Sequence, residues 1–331
     1  MRSARLQQAL DSGLLVLPKG SVAVWRPVVG DDLSALGRGR VTVLTGFKPD
    51  HDHFAGLGHA VTPTPPYAAG VVCLPRAKAL AHALVAQAMA QVLPGGPVVV
   101  DGQKTDGIDS LLKELRAAGV AMGEPLSKAH GKLVVLRAGP PPPGWTGEPR
   151  PTADGFWTAP GVFSADGPDP GSVLLAQHLP ATLPKRVADL GAGWGYLTRA
   201  ILDRPGVAEV DAVEAEAAAL DCARRAIDDS RVVWHWADVR GFRPRAPWGA
   251  VVMNPPFHTG RAAEPDLGLA FVKAAHAGLN PDGALWLVAN RQLPYEAALK
   301  TLFRKVETLA QGAVHKVIHA SGPIRVAGRA P

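Results

Sequence analysis

Apolar residues fall in short runs separated by longer mixed stretches. In the first 140 residues the runs are Val22-Ala23-Val24-Trp25, Val41-Thr42-Val43-Leu44, Val71-Val72-Cys73-Leu74 and Val98-Val99-Val100. In the remainder they are Val187 to Leu190, Val210 to Glu214, Val232 to Trp236, Val251 to Met253 and Gly283 to Asn290, with Val306 to Leu309 and His315 to His319 as candidate sixth and seventh strands. Runs of this length, rich in β-branched residues and lacking strict alternation, predict strands buried on both faces. Helical stretches intervene, such as the alanine-rich segment Ala215 to Ile227. Asp169-Pro170 predicts a helix start, with Asp as the cap and Pro at the first helical position. Strands alternating with helices predict an α/β fold built on parallel sheets.

The pattern occurs twice. Leu17 to Trp25 parallels Leu183 to Leu190, Val41 to Thr45 parallels Val210 to Glu214, Val71 to Pro75 parallels Val251 to Pro255, and Leu93 to Val100 parallels Leu279 to Trp286. Between the copies stands Pro140-Pro141-Pro142-Pro143, which continues neither strand nor helix. The expected division is a first domain over 1–139, a Pro-rich linker over 140–151 and a second domain over 152–331.

Polar chemistry concentrates in the second copy. Asp189-Leu190-Gly191-Ala192-Gly193-Trp194-Gly195 joins a strand to a helix, and glycines there let a ligand approach the backbone. Glu214 ends the next strand, where a carboxylate suits the hydroxyls of a ribose. Glu216 is the rival for that role; placed a turn into the following helix, it is the less favoured. Asp238, after the third strand, is placed to accept from an adenine amino group. Asn254-Pro255-Pro256-Phe257 ends the fourth. Asp189 beside the glycines disfavours a pyrophosphate and favours a cofactor with a cationic end, which points to S-adenosylmethionine. In the first copy Thr45 stands where Glu214 stands and Leu74 where Asn254 stands, so that copy is expected to have lost its cofactor site.

These motifs resemble those of class I methyltransferases that act on exocyclic amino groups. The longer resemblance is to the ribosomal RNA small subunit guanine-N2 methyltransferase C family. It rests on Pro160 to Ser164, Asp166 to Leu179, Asn254 to Gly260, Val288-Ala289-Asn290 and Leu293-Pro294-Tyr295, and it covers most of 152–331. It implies two tandem class I methyltransferase-like (Rossmann-like) domains, the first degenerate, the second a seven-stranded sheet with an antiparallel last strand. It implies a catalytic set of Asn254, Pro255, Pro256 and Phe257. The implied cofactor set is Phe163, Ser164, Asp189, Gly191, Gly193, Gly195, Glu214, Asp238 and Asn254. Trp194 departs from the family, where a smaller residue or cysteine is more usual. Asn-Pro-Pro-Phe is shared with enzymes that methylate adenine N6 and glutamine amides, so those acceptors remain alternatives. A non-catalytic RNA-binding assembly factor is the alternative of another class.

Charge bears on the partner. Of 35 Lys/Arg and 29 Asp/Glu, residues 1–140 hold 15 and 10, while residues 141–331 hold 20 and 19. The excess of positive charge lies in the first half and suits RNA docking there. The expected partner is ribosomal RNA, free or in the assembled small subunit, with the protein a cytoplasmic monomer. No apolar run approaches the roughly 18 residues of a membrane helix. Cys73 and Cys222 have no metal-ligand spacing, and His51-Asp52-His53 with His59 reads as a polar loop, so no metal is expected.

Overall fold

A computed structural model describes residues 2–256 and 265–325. The chain divides into two compact units, Met1–Pro149 with Ala159–Gly161, and Arg150–Thr158 with Val162–Pro331. The proline run falls with the first unit, where Trp145 stacks on His82 with ring centroids 3.9 Å apart.

The first unit holds helices α1 (Arg2–Asp11), α2 (Lys48–Gly56), α3 (Lys78–Gln91) and α4 (Ile108–Ala117). Its strands are β1 (Val22–Trp25), β2 (Val41–Leu44), β3 (Ala69–Cys73), β4 (Pro97–Gln103), β5 (Leu126–Lys128) and β6 (Gly131–Arg137). They form one sheet in the order β2-β1-β3-β4-β6-β5. Four strands run parallel, while β6 is antiparallel to both β4 and β5. In β1, Val22 and Val24 face one apolar layer and Ala23 and Trp25 the other, which is why the run reads as continuously apolar.

The second unit begins with a small hairpin, β7 (Arg150–Pro151) and β8 (Trp157–Thr158). Helices α5 (Pro170–Gln177), α6 (Tyr196–Leu202), α7 (Ala217–Ala226), α8 (Pro265–Gly278) and α9 (Tyr295–Leu302) flank its main sheet. The strands are β9 (Arg186–Leu190), β10 (Glu209–Glu214), β11 (Val232–Trp236), β12 (Trp248–Met253), β13 (Leu279–Asn290), β14 (Phe303–Gln311) and β15 (His315–Pro323). Their order is β11-β10-β9-β12-β13-β15-β14, and β15, last in the chain, is antiparallel to both neighbours. The seven-stranded class I arrangement expected from the sequence is present.

Aligned strand by strand, the first sheet is the second without β11. A vestige remains, since Ala60 makes a single parallel bridge to Thr42 of β2. The turns also correspond. Arg26 follows β1 with φ of 50° and its N–H donates to Leu44; Gly191 follows β9 with φ of 80° and its N–H donates to Val213. The first unit thus makes the same backbone turn with an arginine where the second has a glycine. The segment around His51 forms α2 rather than the expected polar loop, since Pro49 lies in its first turn, where a missing N–H costs nothing. Among the described residues no His, Cys, Asp or Glu cluster fit for a metal forms. Both cysteines are buried and free.

One buried ion pair anchors α1. Arg5 and Asp101 are 0% and 1% exposed, with Nε and Nη2 of Arg5 donating to the two carboxylate oxygens at 2.7 and 2.6 Å. Removing one partner of such a pair strands the other charge in apolar surroundings. Asp101→Ala is expected to destabilise the first unit by about 3–5 kcal/mol, read from the exchange of β4 amide hydrogens in native protein. A loss below about 1 kcal/mol would mean that the pair behaves as a solvated one.

Candidate active site

The polar groups of the second unit lie where its central parallel strands end at their carboxyl termini, because the strand interiors are buried on both faces. After β9, the N–H groups of Gly191 and Ala192 both donate to the carbonyl of Val213, at 2.8 and 3.1 Å, so the turn is pinned to β10. Gly193 has φ of 55°, and a β-carbon built there meets no atom within 4 Å. The turn is thus open on the side where a ligand would lie against the backbone. Gly195 serves another need, since a β-carbon there would come within 2.9 Å of Ile227 and 3.2 Å of Ala223, and the glycine allows α7 to pack close.

Glu214 binds this region together. Its Oε2 accepts from the N–H of Gly193 and its Oε1 from the N–H of Glu216, both at 2.8 Å. Burial raises its pKa, against the lowering effect of those two donors. Glu216 is the cap residue of α7 and lies outside the helix, rather than a turn into it as expected. The carboxylate at the strand end is therefore that of Glu214, within reach of the open turn.

Asp189 lies deeper than a cofactor contact requires. It is 0% exposed. Its Oδ2 accepts from Thr198 Oγ1 at 2.6 Å, and among the described residues its Oδ1 has no partner. Burial, with a further contribution from Glu214, pushes its pKa up to about 7, although the Thr198 hydroxyl opposes the shift. Asp189 thus fixes the first turn of α6 beneath the glycines. Asp238 follows β11, but its carboxylate is held by Arg240, whose Nε donates to Oδ2 at 2.8 Å and to Oδ1 at 3.0 Å. An adenine amino group would have to share it.

Trp194 is 4% exposed and packs edge-on against Phe156, with centroids 4.9 Å apart. Its Nε1 donates to the carbonyl of Phe163 at 2.8 Å. The residue that departs from the family pattern thus clamps the Phe163 loop onto the glycine turn. The Phe163 side chain itself is 64% exposed, free to meet a ligand. Ser164 sits at φ of 51° and turns its hydroxyl back to donate to the carbonyl of Gly167 at 2.7 Å.

Asn254 directly follows β12. Its Nδ2 donates to Asp169 Oδ2 at 2.9 Å and to Ser172 Oγ at 2.8 Å. Pro255 beside it is buried and Pro256 exposed. Phe257, like His258 and Arg261, lies outside the described residues. Asp169 and Ser172 went unrecognised in the sequence as partners of Asn254. Only the capping signal of Asp169 was visible, and the contact spans 85 residues.

An open glycine turn, a strand-end carboxylate and an asparagine ending the fourth strand fit S-adenosylmethionine. The methyltransferase small domain family matches residues 154–319. The ribosomal RNA small subunit methyltransferase C of Pseudomonas paraeruginosa (strain DSM 24068 / PA7) is 32% identical over 279 residues, which cover 79% of this chain and 81% of that one. The Shewanella loihica protein of the same name is 30% identical over 271 residues, 79% of each. This chain belongs to the ribosomal RNA small subunit methyltransferase C family. Among solved structures, the T. thermophilus 16S rRNA N2 G1207 methyltransferase, in complex with AdoMet and guanosine, superposes with a TM-score of 0.80 at 28% identity, over 97% of this chain and 91% of that one. The protein is an S-adenosylmethionine-dependent methyltransferase.

Within this methyltransferase Asp189 gives a pH signature. Its folded pKa lies above the ordinary carboxylate value, so between about 4 and about 7 the folded state holds a proton that the unfolded chain has lost. Its contribution to stability therefore falls as pH rises through that window, and Glu214, also raised, acts in the same direction. Asp189→Asn should flatten the fall in urea midpoint between pH 4 and 7, relative to the unaltered protein. A variant with an unchanged slope would place the titration elsewhere.

Proposed function

We propose that this chain transfers a methyl group from S-adenosylmethionine to the exocyclic N2 amine of a guanine in 16S ribosomal RNA. The observation that carries the reading is the orientation of Asn254. With both hydrogens of Nδ2 directed at Asp169 and Ser172, Oδ1 is left to accept. A guanine amine is a weak nucleophile because its lone pair is delocalised into the ring. Accepting one N–H at Asn254 Oδ1 and the other at the Pro255 carbonyl would orient that pair towards the methyl. When bound, the cofactor supplies the methyl already activated as a sulfonium. The chain's own contribution is then chiefly alignment, and the amine nitrogen releases its proton to solvent as it gains the methyl. Gly193 and Glu214 would hold the nucleoside half of the cofactor, and the exposed ring of Phe163 would cover it. Asp189 would act from below by holding α6.

Acceptors such as adenine or a glutamine amide would use the same asparagine. The relatives' names favour small-subunit RNA, and the name of the T. thermophilus enzyme favours the N2 of a guanine. A non-catalytic assembly factor would have no need of an oriented Asn254 or an open turn at Gly193. Digesting methylated 16S RNA to nucleosides tests the acceptor: N2-methylguanosine is expected, and N6-methyladenosine would overturn the reading.

The first unit we assign to RNA docking and to support of the fold, on the strength of its excess of basic residues. Arg40 donates to the carbonyl of Pro18 and Lys48 pairs with Asp52. Lys19 and Arg38 are exposed and line two adjoining grooves that meet at Gly39.

Asn254→Ala should slow methyl transfer by about 100-fold or more while S-adenosylmethionine binds within a few fold of normal by calorimetry. Parallel losses in both would assign Asn254 to cofactor binding. Lys19→Glu and Arg38→Glu should each weaken RNA binding and lower its salt slope by about 0.7–0.9 per lost phosphate contact. Slopes that do not change would remove these side chains from the RNA interface.

A further inference from the structure

We propose that Asp169 is a positioning residue for methyl transfer, acting with Ser172 to hold the Asn254 amide in the one orientation that presents Oδ1 to the acceptor amine. The proposal rests on the reading of Asn254 as the residue that holds that amine.

An asparagine amide has two nearly isosteric ends, and a half-turn about its last bond exchanges acceptor for donor. In the wrong orientation Asn254 would offer N–H groups to an amine that itself carries N–H groups. Its surroundings forbid that orientation. Turned over, its oxygen would lie against the Asp169 carboxylate, at the place where Nδ2 now sits 2.9 Å from Oδ2. Ser172 Oγ takes the second hydrogen at 2.8 Å, and Ser172 is 7% exposed, so water competes poorly for it. Donation to a carboxylate also withdraws positive character from the amide, leaving Oδ1 the richer acceptor.

Asp169 has a second task. The same Oδ2 accepts from the N–H of Ser172 at 2.9 Å and so caps α5. One oxygen atom thus fixes the start of a helix and the face of the catalytic asparagine, and Ser172 takes part in both contacts. Gly171 between them leaves the room: a β-carbon there would fall 2.9 Å from Asp169 Oδ2 and 3.3 Å from the ring of His315. Seating α5 against the strand ends and orienting Asn254 are therefore one event.

Capping and orientation separate by substitution. Asp169→Ser keeps a cap-competent oxygen near the backbone but withdraws it from Asn254. Ser172→Ala leaves the cap intact and removes the other acceptor. Asp169→Asn returns an oxygen to both contacts. Single-turnover transfer to 16S RNA is measured alongside calorimetric affinity for S-adenosylmethionine and thermal midpoints. The Asp169→Ser and Ser172→Ala variants are expected to lose about 10–100-fold in rate, with cofactor affinity and midpoint close to normal. Asp169→Asn should recover most of the loss. A normal rate in Asp169→Ser would overturn the proposal, as would an Asp169→Asn variant as slow as the serine one. Should Asp169→Ser fail to fold, Ser172→Ala decides alone, and a normal rate there sinks the idea. Failure of the underlying reading is distinct: Asn254→Ala would then transfer methyl normally, whatever Asp169 does.

Discussion

The carboxylate of Glu214 joins the parts on which the site depends. It ends β10, takes a hydrogen bond from the glycine turn after β9 and another from the start of α7. Each of those segments has backbone N–H groups that no strand or helix partner satisfies, and a carboxylate with two oxygens meets one from each. The turn is held open at Gly193 by this contact below and by the Trp194 clamp beside it. Burial makes the arrangement costly for a charged group, which is why its pKa rises, and the two backbone donors offset part of that cost.

The first unit shows what becomes of the same backbone without that carboxylate. Thr45 occupies the corresponding strand end, and its Oγ1 accepts from Phe47 N–H, two residues on, as Glu214 accepts from Glu216. The local contact survives, and the long one to the turn is gone. Leu74, 3% exposed, replaces the asparagine and packs into the core. Near the ends of β3 and β4, α1 brings Arg2 and Arg5 against Asp101, which fills polar space with an internal ion pair. A sheet of this kind keeps its order of strands as long as its apolar layers persist, whereas the chemistry at its ends is a matter of single side chains.

The division of the site between two helices and four strand ends explains how it gains precision. α5 brings Asp169 and Ser172 to Asn254, and α6 brings Thr198 to Asp189. Both contacts place a short polar side chain of a helix's first turn against a side chain at the end of a strand. Helices and strands position such groups more rigidly than loops do.

By itself the sequence determined the parallel strands of both sheets and their order of appearance, the repeated pattern and the segments that carry chemistry, but it did not mark β5 and β6, the antiparallel end of the first sheet. Apolar runs buried on both faces are recorded locally, and so are a glycine turn, a strand-end carboxylate and Asn-Pro-Pro-Phe. It also favoured Glu214 over Glu216, although for a helix position that the structure corrects. It could not reveal that Asp189 is sealed under the turn, that Arg240 holds Asp238, or that Trp194 grips the Phe163 carbonyl. Nor could it reveal that the cap of α5 orients Asn254. The last two depend on groups that meet across 31 and 85 residues of chain, as Trp194 meets the Phe163 carbonyl and Asn254 meets Asp169. Even the nearer pairs, Asp189 with Thr198 and Asp238 with Arg240, depend on how the side chains turn. A hydrogen bond needs its partners placed to within a few tenths of an ångström, and no pattern along the chain carries that distance until the tertiary structure brings the elements together.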